Sequence, residues 1–423
     1  MKILWVCNVA LPSIARELGM PVSNSGGWMV SMADDLRNKE EIDLAITFPI
    51  FNAKNNRVLT GQVEGIQYYG FPANSSYLTR YDNQLEEYFQ QIINLAMPDI
   101  IHIFGTEYLH TLAMIRATQN KYHNIINIQG LCSLYACHYN FGIPTRYQYL
   151  YTLRDFLKQD NLNQQRKKFK KRGQFEIQAL SQVNHVIGRT DWDKACSLQI
   201  NPGVQYHFCN ESLRDSFYQA QWQLDTCKRN SIFISQSYYP IKGFHLFLEA
   251  LPKIIQQFPD VHVFTTGKDY IHTRSPKDLL RMSSYQLFIR NIVKKYKLSS
   301  YITFLGELSE SQMCQAYLNA HVFVSPSTIE NSPNSLGEAM LLGMPCVSSH
   351  VGGVANMMVH GKEGFLYPAD EPYMLAYYVC QLFSNDELAQ TVAEAAHLHA
   401  LKTHDRNQNL HQLLRIYEEV IHE

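Results

Sequence analysis

The sequence predicts an α/β protein made of two domains, each a largely parallel sheet with helices on both faces. Three observations carry this. Short apolar runs alternate with stretches of helical period along most of the chain, the pattern of strand–helix–strand units. A length of 423 residues suits two domains of ordinary size. The alternation lapses around residues 199–228 and restarts at Ser231, so the first domain is expected over 1–215 and the second over 229–403. Two domains of one architecture are expected to face each other across a cleft, where ligands of such folds bind.

Lys2 to Val9 reads as a buried parallel strand. Asn8 interrupts its apolar run, which favours a first strand over a signal peptide. Ser25-Gly26-Gly27 then opens a helix to about Asn38, a strand–glycine–helix step that offers backbone to an anion. Strands follow at 42–48, 67–71, 99–104, 124–129 and 183–188, with a helix over 78–96. Ligand groups belong at the carboxyl ends of such strands, and His102, Glu107, Gln129 and Arg189 fall at or near them. Asp191-Trp192-Asp193 has the look of a metal-binding D-x-D, but it starts a helix, where Thr190 or Asp191 would cap and Asp193 would favour the helix dipole. In the second half, strands are expected at 231–235, 261–266, 301–305, 321–325 and 345–348, with helices between them and three more, from 372 to 421, at the end.

Composition excludes several classes. Apolar residues make up 46% and charged ones 18%, the mark of a globular chain. A formal charge of −1 gives no support for a nucleic-acid partner. Nine scattered cysteines without a C-x-x-C pair argue for a reducing cytosol and against a disulfide framework or zinc site. No run reaches the roughly 18 apolar residues of a membrane span. One local field stands out: Arg166, Lys167, Lys168, Lys170, Lys171 and Arg172 put six cations in seven residues, just after the aromatic stretch 147–156. It reads either as a solvated helix face or as a dock for an anionic membrane, where each cation contributes about 1 kcal/mol.

The stretch richest in chemistry runs from Ser325 to Gly353. Glu330 and Glu338 flank a Pro333-Asn334-Ser335 turn with seven residues between them, and the turn opens a helix. Two readings stand. One is a helix capped by Asn334 or Ser335; the other is an anion cradle of helix N–H groups between two acids, suited to a sugar diphosphate.

Set beside Tyr239-Pro240-Ile241-Lys242-Gly243, Thr266-Gly267, Leu305-Gly306, Gly343-Met344-Pro345, Gly352-Gly353 and His360-Gly361-x-x-Gly364, this stretch resembles the retaining glycosyltransferases of family 4 over about residues 231–370. The first half is similar only in outline, through Gly26-Gly27 and Pro98 to His102. The resemblance points to a bacterial branch serving capsule, exopolysaccharide or lipopolysaccharide assembly. It implies the GT-B fold, two Rossmann-like domains with a final helix, 404–423, returning to the first. It implies that Lys242 meets a donor diphosphate, aided by N–H groups near Asn334, Ser335 and Leu336 and by Gly26-Gly27, with Gln236, Gly267 and Gly306 in the same donor site. Glu338 would take the ribose hydroxyls, and Glu330 the anomeric centre, with Gln129 as a further catalytic group. His102, Glu107 and Arg189 would face the acceptor. It also implies retention at the anomeric carbon, with neither metal nor cofactor, a uridine nucleotide-sugar as donor substrate, and a glycan or lipid-linked acceptor at the inner face of the membrane, on the cytoplasmic side. Two departures stand: Gln236 replaces the family's usual arginine, with Lys268 or Arg189 as possible substitutes, and Gln129 replaces a frequent histidine. Rival functions are a nucleotide-sugar epimerase of the same fold and a non-catalytic sugar-nucleotide-binding subunit.

Overall fold

A computed structural model describes residues 1–22, 27–53, 55–74, 80–119, 121–273 and 275–423. They form two compact units. The first holds Met1–Leu134, Phe169–Arg214 and His404–Glu423; the second holds Tyr135–Lys168 and Asp215–Thr403.

The first unit carries eight strands: β1 (Lys2–Val6), β2 (Asp43–Phe51), β3 (Leu59–Val63), β4 (Ile66–Ala73), β5 (Ile100–Phe104), β6 (His123–Asn127), β7 (His185–Gly188) and β8 (Gln205–Phe208). Their order is β3-β4-β2-β1-β5-β6-β7-β8. All neighbours run parallel except β3 and β4, an antiparallel hairpin. The sheet is buried on both faces, and β1 displays the period of two: Leu4 and Val6 enter one core, Ile3 and Trp5 the other. The helix Gln84–Ala96 covers the first face with Leu85, Tyr88, Phe89, Ile92 and Ile93, apolar at helical spacing. The terminal helix Arg406–His422 covers the second with Leu413, Ile416, Tyr417 and Val420.

The second unit carries β9 (Lys228–Ile234), β10 (His262–Thr265), β11 (Ile302–Phe304), β12 (Ala320–Ser325), β13 (Cys346–Ser349) and β14 (Phe365–Tyr367). The order is β11-β10-β9-β12-β13-β14, all parallel. Parallel pairing brings the loops after β9, β10, β11, β12 and β13 to one edge.

Three features differ from the sequence expectation. Three strands were not expected: β3 and β8 lie in stretches too polar to read as strands, and β14 is apolar but only three residues long. Residues 135–168, expected in the first domain, cluster with the second unit. Long-range bonds explain this: the His245 ring bonds the Phe141 carbonyl at 2.8 Å, Asp155 accepts the Ser284 N–H at 2.7 Å, and Tyr147 packs on Phe288. The helix expected from residue 78 begins at Gln84; 78 and 79 lie outside the described residues. No helix among the described residues is long and apolar enough to cross a membrane.

Candidate functional site

In the second unit, glycines decide where Lys242 and Glu330 go. Gly243 turns at φ +65°, and a Cβ there would lie 1.7 Å from the Pro326 carbonyl oxygen. Gly352 turns at φ +51°, and its Cβ would lie 1.9 Å from the Glu330 carbonyl oxygen. No larger residue fits either place, because both the conformation and the contact forbid it. Two backbone bonds complete the seat. The Thr328 N–H donates to the Ile241 carbonyl at 2.7 Å, and the Gly353 N–H donates to the Glu330 carbonyl at 3.1 Å.

The loop after β12 is therefore held against the turn that carries the lysine. The Lys242 ammonium lies 2.6 Å from Glu330 Oε1, and the Ser327 hydroxyl donates to the same oxygen at 2.7 Å. The Glu330 side chain is 8% exposed while that of Lys242 keeps 26%. A seated carboxylate thus holds an ammonium that solvent can still reach.

The helix Asn334–Leu341 starts beside this pair. Its N-cap is Pro333, with no side-chain cap, so neither Asn334 nor Ser335 plays that part. The Leu336 and Gly337 N–H groups donate to the Pro333 carbonyl at 3.0 and 3.2 Å, and the Leu336 side chain is fully buried. Of the three expected amide donors, Leu336 is thus spent internally. Those of Asn334 and Ser335 have no bonded partner among the described residues, and they sit at the positive end of the helix. Glu338, one turn on, is buried, with its Oε2 3.4 Å from the Tyr317 hydroxyl. At the same edge Gly267 and Gly306 are joined by an N–H to carbonyl bond of 2.8 Å. Gln236 follows β9 and is partly exposed. Lys268, a possible substitute for the missing arginine, pairs with Asp278 at 2.8 Å and is 74% exposed.

In the first unit, four expected residues divide. His102 is a correction: it is fully buried in mid-strand, stacked on Phe104, with Nδ1 2.6 Å from the Tyr417 hydroxyl. Burial lowers its pKa to about 3, so it is a neutral core histidine with no surface to offer an acceptor. Glu107 does lie past the end of β5 and is partly exposed. Desolvation pushes its carboxyl up to about 7; its own backbone N–H opposes this, Glu176 adds to it and Arg172 opposes it. Gly105 makes room for it, since a Cβ there would meet Glu107 Oε2 at 2.1 Å.

Gln129 and Arg189 belong to one buried network whose centre, Glu211, sequence reasoning missed. Arg189 Nη1 donates to Glu211 Oε2 at 2.6 Å. Gln129 Nε2 donates to Glu211 Oε1 at 2.5 Å and to Asn127 Oδ1 at 2.9 Å, while Arg189 Nη2 reaches Gln129 Oε1 at 3.5 Å. Glu211 accepting from its NH2 and Arg189 donating to its oxygen orient the amide of the partly exposed Gln129. Arg189 is spent on Glu211, and its expected acceptor contact gives way to this structural pairing. The signal for Glu211 is its place three residues past β8, visible only once that strand is recognised.

Glu176 was also missed. It is buried and accepts from the Thr106 hydroxyl, the Cys132 and Ser133 N–H groups and the Ser133 hydroxyl, at 2.6–3.0 Å. Asp193 serves as a cap: it accepts the Arg189 and Thr190 N–H groups at 2.9 and 3.2 Å, and Thr190 caps the helix in return. Gly27 opens the helix Gly27–Arg37, and Gly26 lies outside the described residues.

Comparison with known proteins covers the same part of the chain. The family of glycosyl transferases group 1 matches residues 228–385. The structure is similar to sucrose-phosphate synthase from Thermosynechococcus elongatus, with a TM-score of 0.71, 15% identity and 99% of each chain covered. It is also similar to HepE from Anabaena in complex with UDP, at TM-score 0.65, 15% identity, and 99% and 100% of the two chains. The chain has the GT-B fold, and its residues 228–385 are similar to the family of glycosyl transferases group 1. Among curated relatives, the phosphatidyl-myo-inositol mannosyltransferase of Mycobacterium tuberculosis is 28% identical over 214 residues, 49% of this chain and 52% of its own. Spore coat protein SA of Bacillus subtilis is 24% identical over 42% of this chain and 46% of its own. The chain thus spans about half the length of the curated relatives it matches. Residues 228–385 hold Gln236, Lys242, Gly267, Gly306, Glu330, Asn334, Ser335, Leu336 and Glu338; Gln129, Arg189 and Glu211 lie outside them.

Proposed function

We propose that the protein is a retaining glycosyltransferase that moves a sugar from a nucleotide-diphosphate donor, a uridine one, to a glycan or lipid-linked glycan in surface polysaccharide synthesis. The observation that carries this is the pairing of a reachable Lys242 with a seated Glu330 beside two unpartnered amides. That set matches what a sugar diphosphate needs. The ammonium meets the diphosphate as a point charge, and the Asn334 and Ser335 N–H groups add donors at a positive helix end. Glu338 takes the ribose hydroxyls, and Glu330 the hydroxyls of the transferred sugar.

Charge builds on the leaving diphosphate as the glycosidic bond lengthens. Lys242 and the two amides are already aimed at that charge, so they stabilise the transition state without reorganising and without a metal. The leaving phosphate then helps remove the proton of the acceptor hydroxyl as it attacks the same face, which retains the anomeric configuration. On the first unit, Gln129 and Glu107 are the groups offered to the acceptor. We place the enzyme on the cytoplasmic side, peripheral at an anionic membrane, with Arg166, Lys167, Lys168, Lys170, Lys171 and Arg172 as the cationic run considered for contact.

The relatives support this reading in kind: HepE is described in complex with UDP and with UDP-glucose, and the mycobacterial relative is a mannosyltransferase. The test is a thermal-shift panel of uridine, guanosine and adenosine nucleotide sugars, followed by transfer assays with the donor that binds. A uridine sugar that raises the melting temperature and is consumed only with acceptor supports the proposal. Release of an epimer without acceptor, or UDP binding with no turnover, overturns it; the second result is the one Gln236 and Gln129 would favour in a binding subunit.

A further inference from the structure

Five large apolar side chains stand in solvent within nine residues of the second unit: Tyr149, Tyr151, Leu153, Phe156 and Leu157. Phe156 is 61% exposed and Leu157 73%. Leu153, Phe156 and Leu157 sit at i, i+3 and i+4 on the helix Leu153–Lys158, so they form one ridge.

The opposite face of that helix is locked. Asp155 is buried, and its Oδ2 accepts the Ser284 N–H at 2.7 Å while Oδ1 takes Arg154 Nη1 at 2.7 Å. Thr152 caps the helix by accepting the Asp155 N–H at 3.1 Å. The helix therefore cannot roll to hide its apolar ridge without breaking a buried charged anchor. Exposed Leu279 and Leu280 lie on the short helix Pro276–Leu280, which ends four residues before that same Ser284.

The surroundings are cationic. Residues 135–168 hold the cations Arg146, Arg154, Lys158, Arg166, Lys167 and Lys168, against the acids Asp155 and Asp160. Both acids are used internally, by Arg154 and Lys168. Arg146, Lys158, Arg166 and Lys167 are exposed and carry no ion pair among the described residues. A second copy of the chain would set these cations against each other. An anionic lipid surface complements them, and it takes apolar side chains below its phosphates.

We propose that this ridge is a membrane-inserting face. Leu153, Phe156 and Leu157 enter the acyl boundary of an anionic leaflet. Tyr149 and Tyr151 sit at headgroup level, and Arg146, Lys158, Arg166 and Lys167 meet the phosphates. This deepens the membrane part of the proposed function and moves the contact away from the run 166–172 as a whole. Lys168 pairs with Asp160, and Arg172 lies over the Phe169 ring at 4.0 Å.

The test floats the full chain with phosphatidylcholine vesicles, with and without phosphatidylglycerol, beside Phe156→Ser/Leu157→Ser and Lys158→Glu/Lys167→Glu. All four positions are exposed, and an unchanged melting temperature checks the fold. The wild type is expected to float with the anionic vesicles, and the apolar double variant to lose about tenfold in partition. The charge variant is expected to lose its preference for anionic over neutral lipid. Wild type that stays down, an apolar variant that floats like wild type, or light scattering that finds a dimer dissolved by the apolar variant each overturn the proposal. Flotation without sugar transfer counts against the enzymatic reading alone; transfer without flotation counts against this face alone.

Discussion

Lys242 and Glu330 touch, and replacing them one at a time separates their roles. On the proposed function, Lys242→Ala removes a charged partner of the diphosphate, a contact worth about 1.5–3 kcal/mol, so UDP affinity should fall roughly ten- to 150-fold. Glu330→Gln behaves differently. The amide oxygen can still accept from Ser327, which bonds Glu330 Oε1 at 2.7 Å, so the loop keeps its seat. The carboxylate that competes for the ammonium at 2.6 Å is gone, and Lys242 no longer breaks an ion pair to reach phosphate. UDP affinity should hold or rise, while turnover falls at least about tenfold because a transition-state contact is lost. Calorimetry of UDP binding and kcat with the full donor read the two effects separately. If Glu330→Gln weakens UDP as much as Lys242→Ala does, the pair binds the nucleotide as one unit and the division of labour is wrong.

Three further outcomes follow from the geometry. Gly352→Ala should cost at least about 2 kcal/mol and impair donor binding, since its Cβ would press on the Glu330 carbonyl from a left-handed conformation; urea unfolding beside UDP calorimetry checks both. Tyr417→Phe removes the hydroxyl shared by His102 Nδ1 at 2.6 Å and Trp5 Nε1 at 3.2 Å, so a loss of about 2–4 kcal/mol is expected in the urea midpoint, because buried polar groups are left unpaired. Glu107 sets a pH dependence. Its folded pKa of about 7 lies above the ordinary 4.5, so the native state keeps a proton that the unfolded chain has released. That share of stability is complete below about 4.5 and is lost as pH rises through 7. Glu107→Gln should therefore gain on wild type between pH 5 and pH 8, and a constant difference across that range would refute the shift.

Much of the fold was legible because its signals are local. A buried parallel strand such as β1 or β12 is a short apolar run, and helices such as Asn334–Leu341 follow turn residues that open them. The candidate site edge of the second unit was legible for a related reason: its glycines answer steric demands that any chain tracing this path must meet. Gly243 and Gly352 are required by the backbone atoms of Pro326 and Glu330, so their spacing relative to Lys242 and Glu330 survives in the sequence. The terminal strands escaped notice for the opposite reason. Gln205–Phe208 is a four-residue edge strand exposed at both ends, with only His207 fully buried, and so short a run carries little pattern.

The sequence by itself determined the α/β class, the parallel strands implied by alternating elements, and the lysine, acids and glycines of residues 228–385. Only the tertiary structure decided which polar groups meet. Arg189 pairs with Glu211, 22 residues away. His102 turned inward to Tyr417, 315 residues away. Residues 135–168 joined the second unit through Asp155 and Ser284, 129 residues apart, which left Leu153, Phe156 and Leu157 outside. Local propensity depends on neighbours within a few residues, so it can be read along the chain. A buried charge pairs with whatever the fold brings within about 3 Å, and that distance has no fixed counterpart in sequence separation.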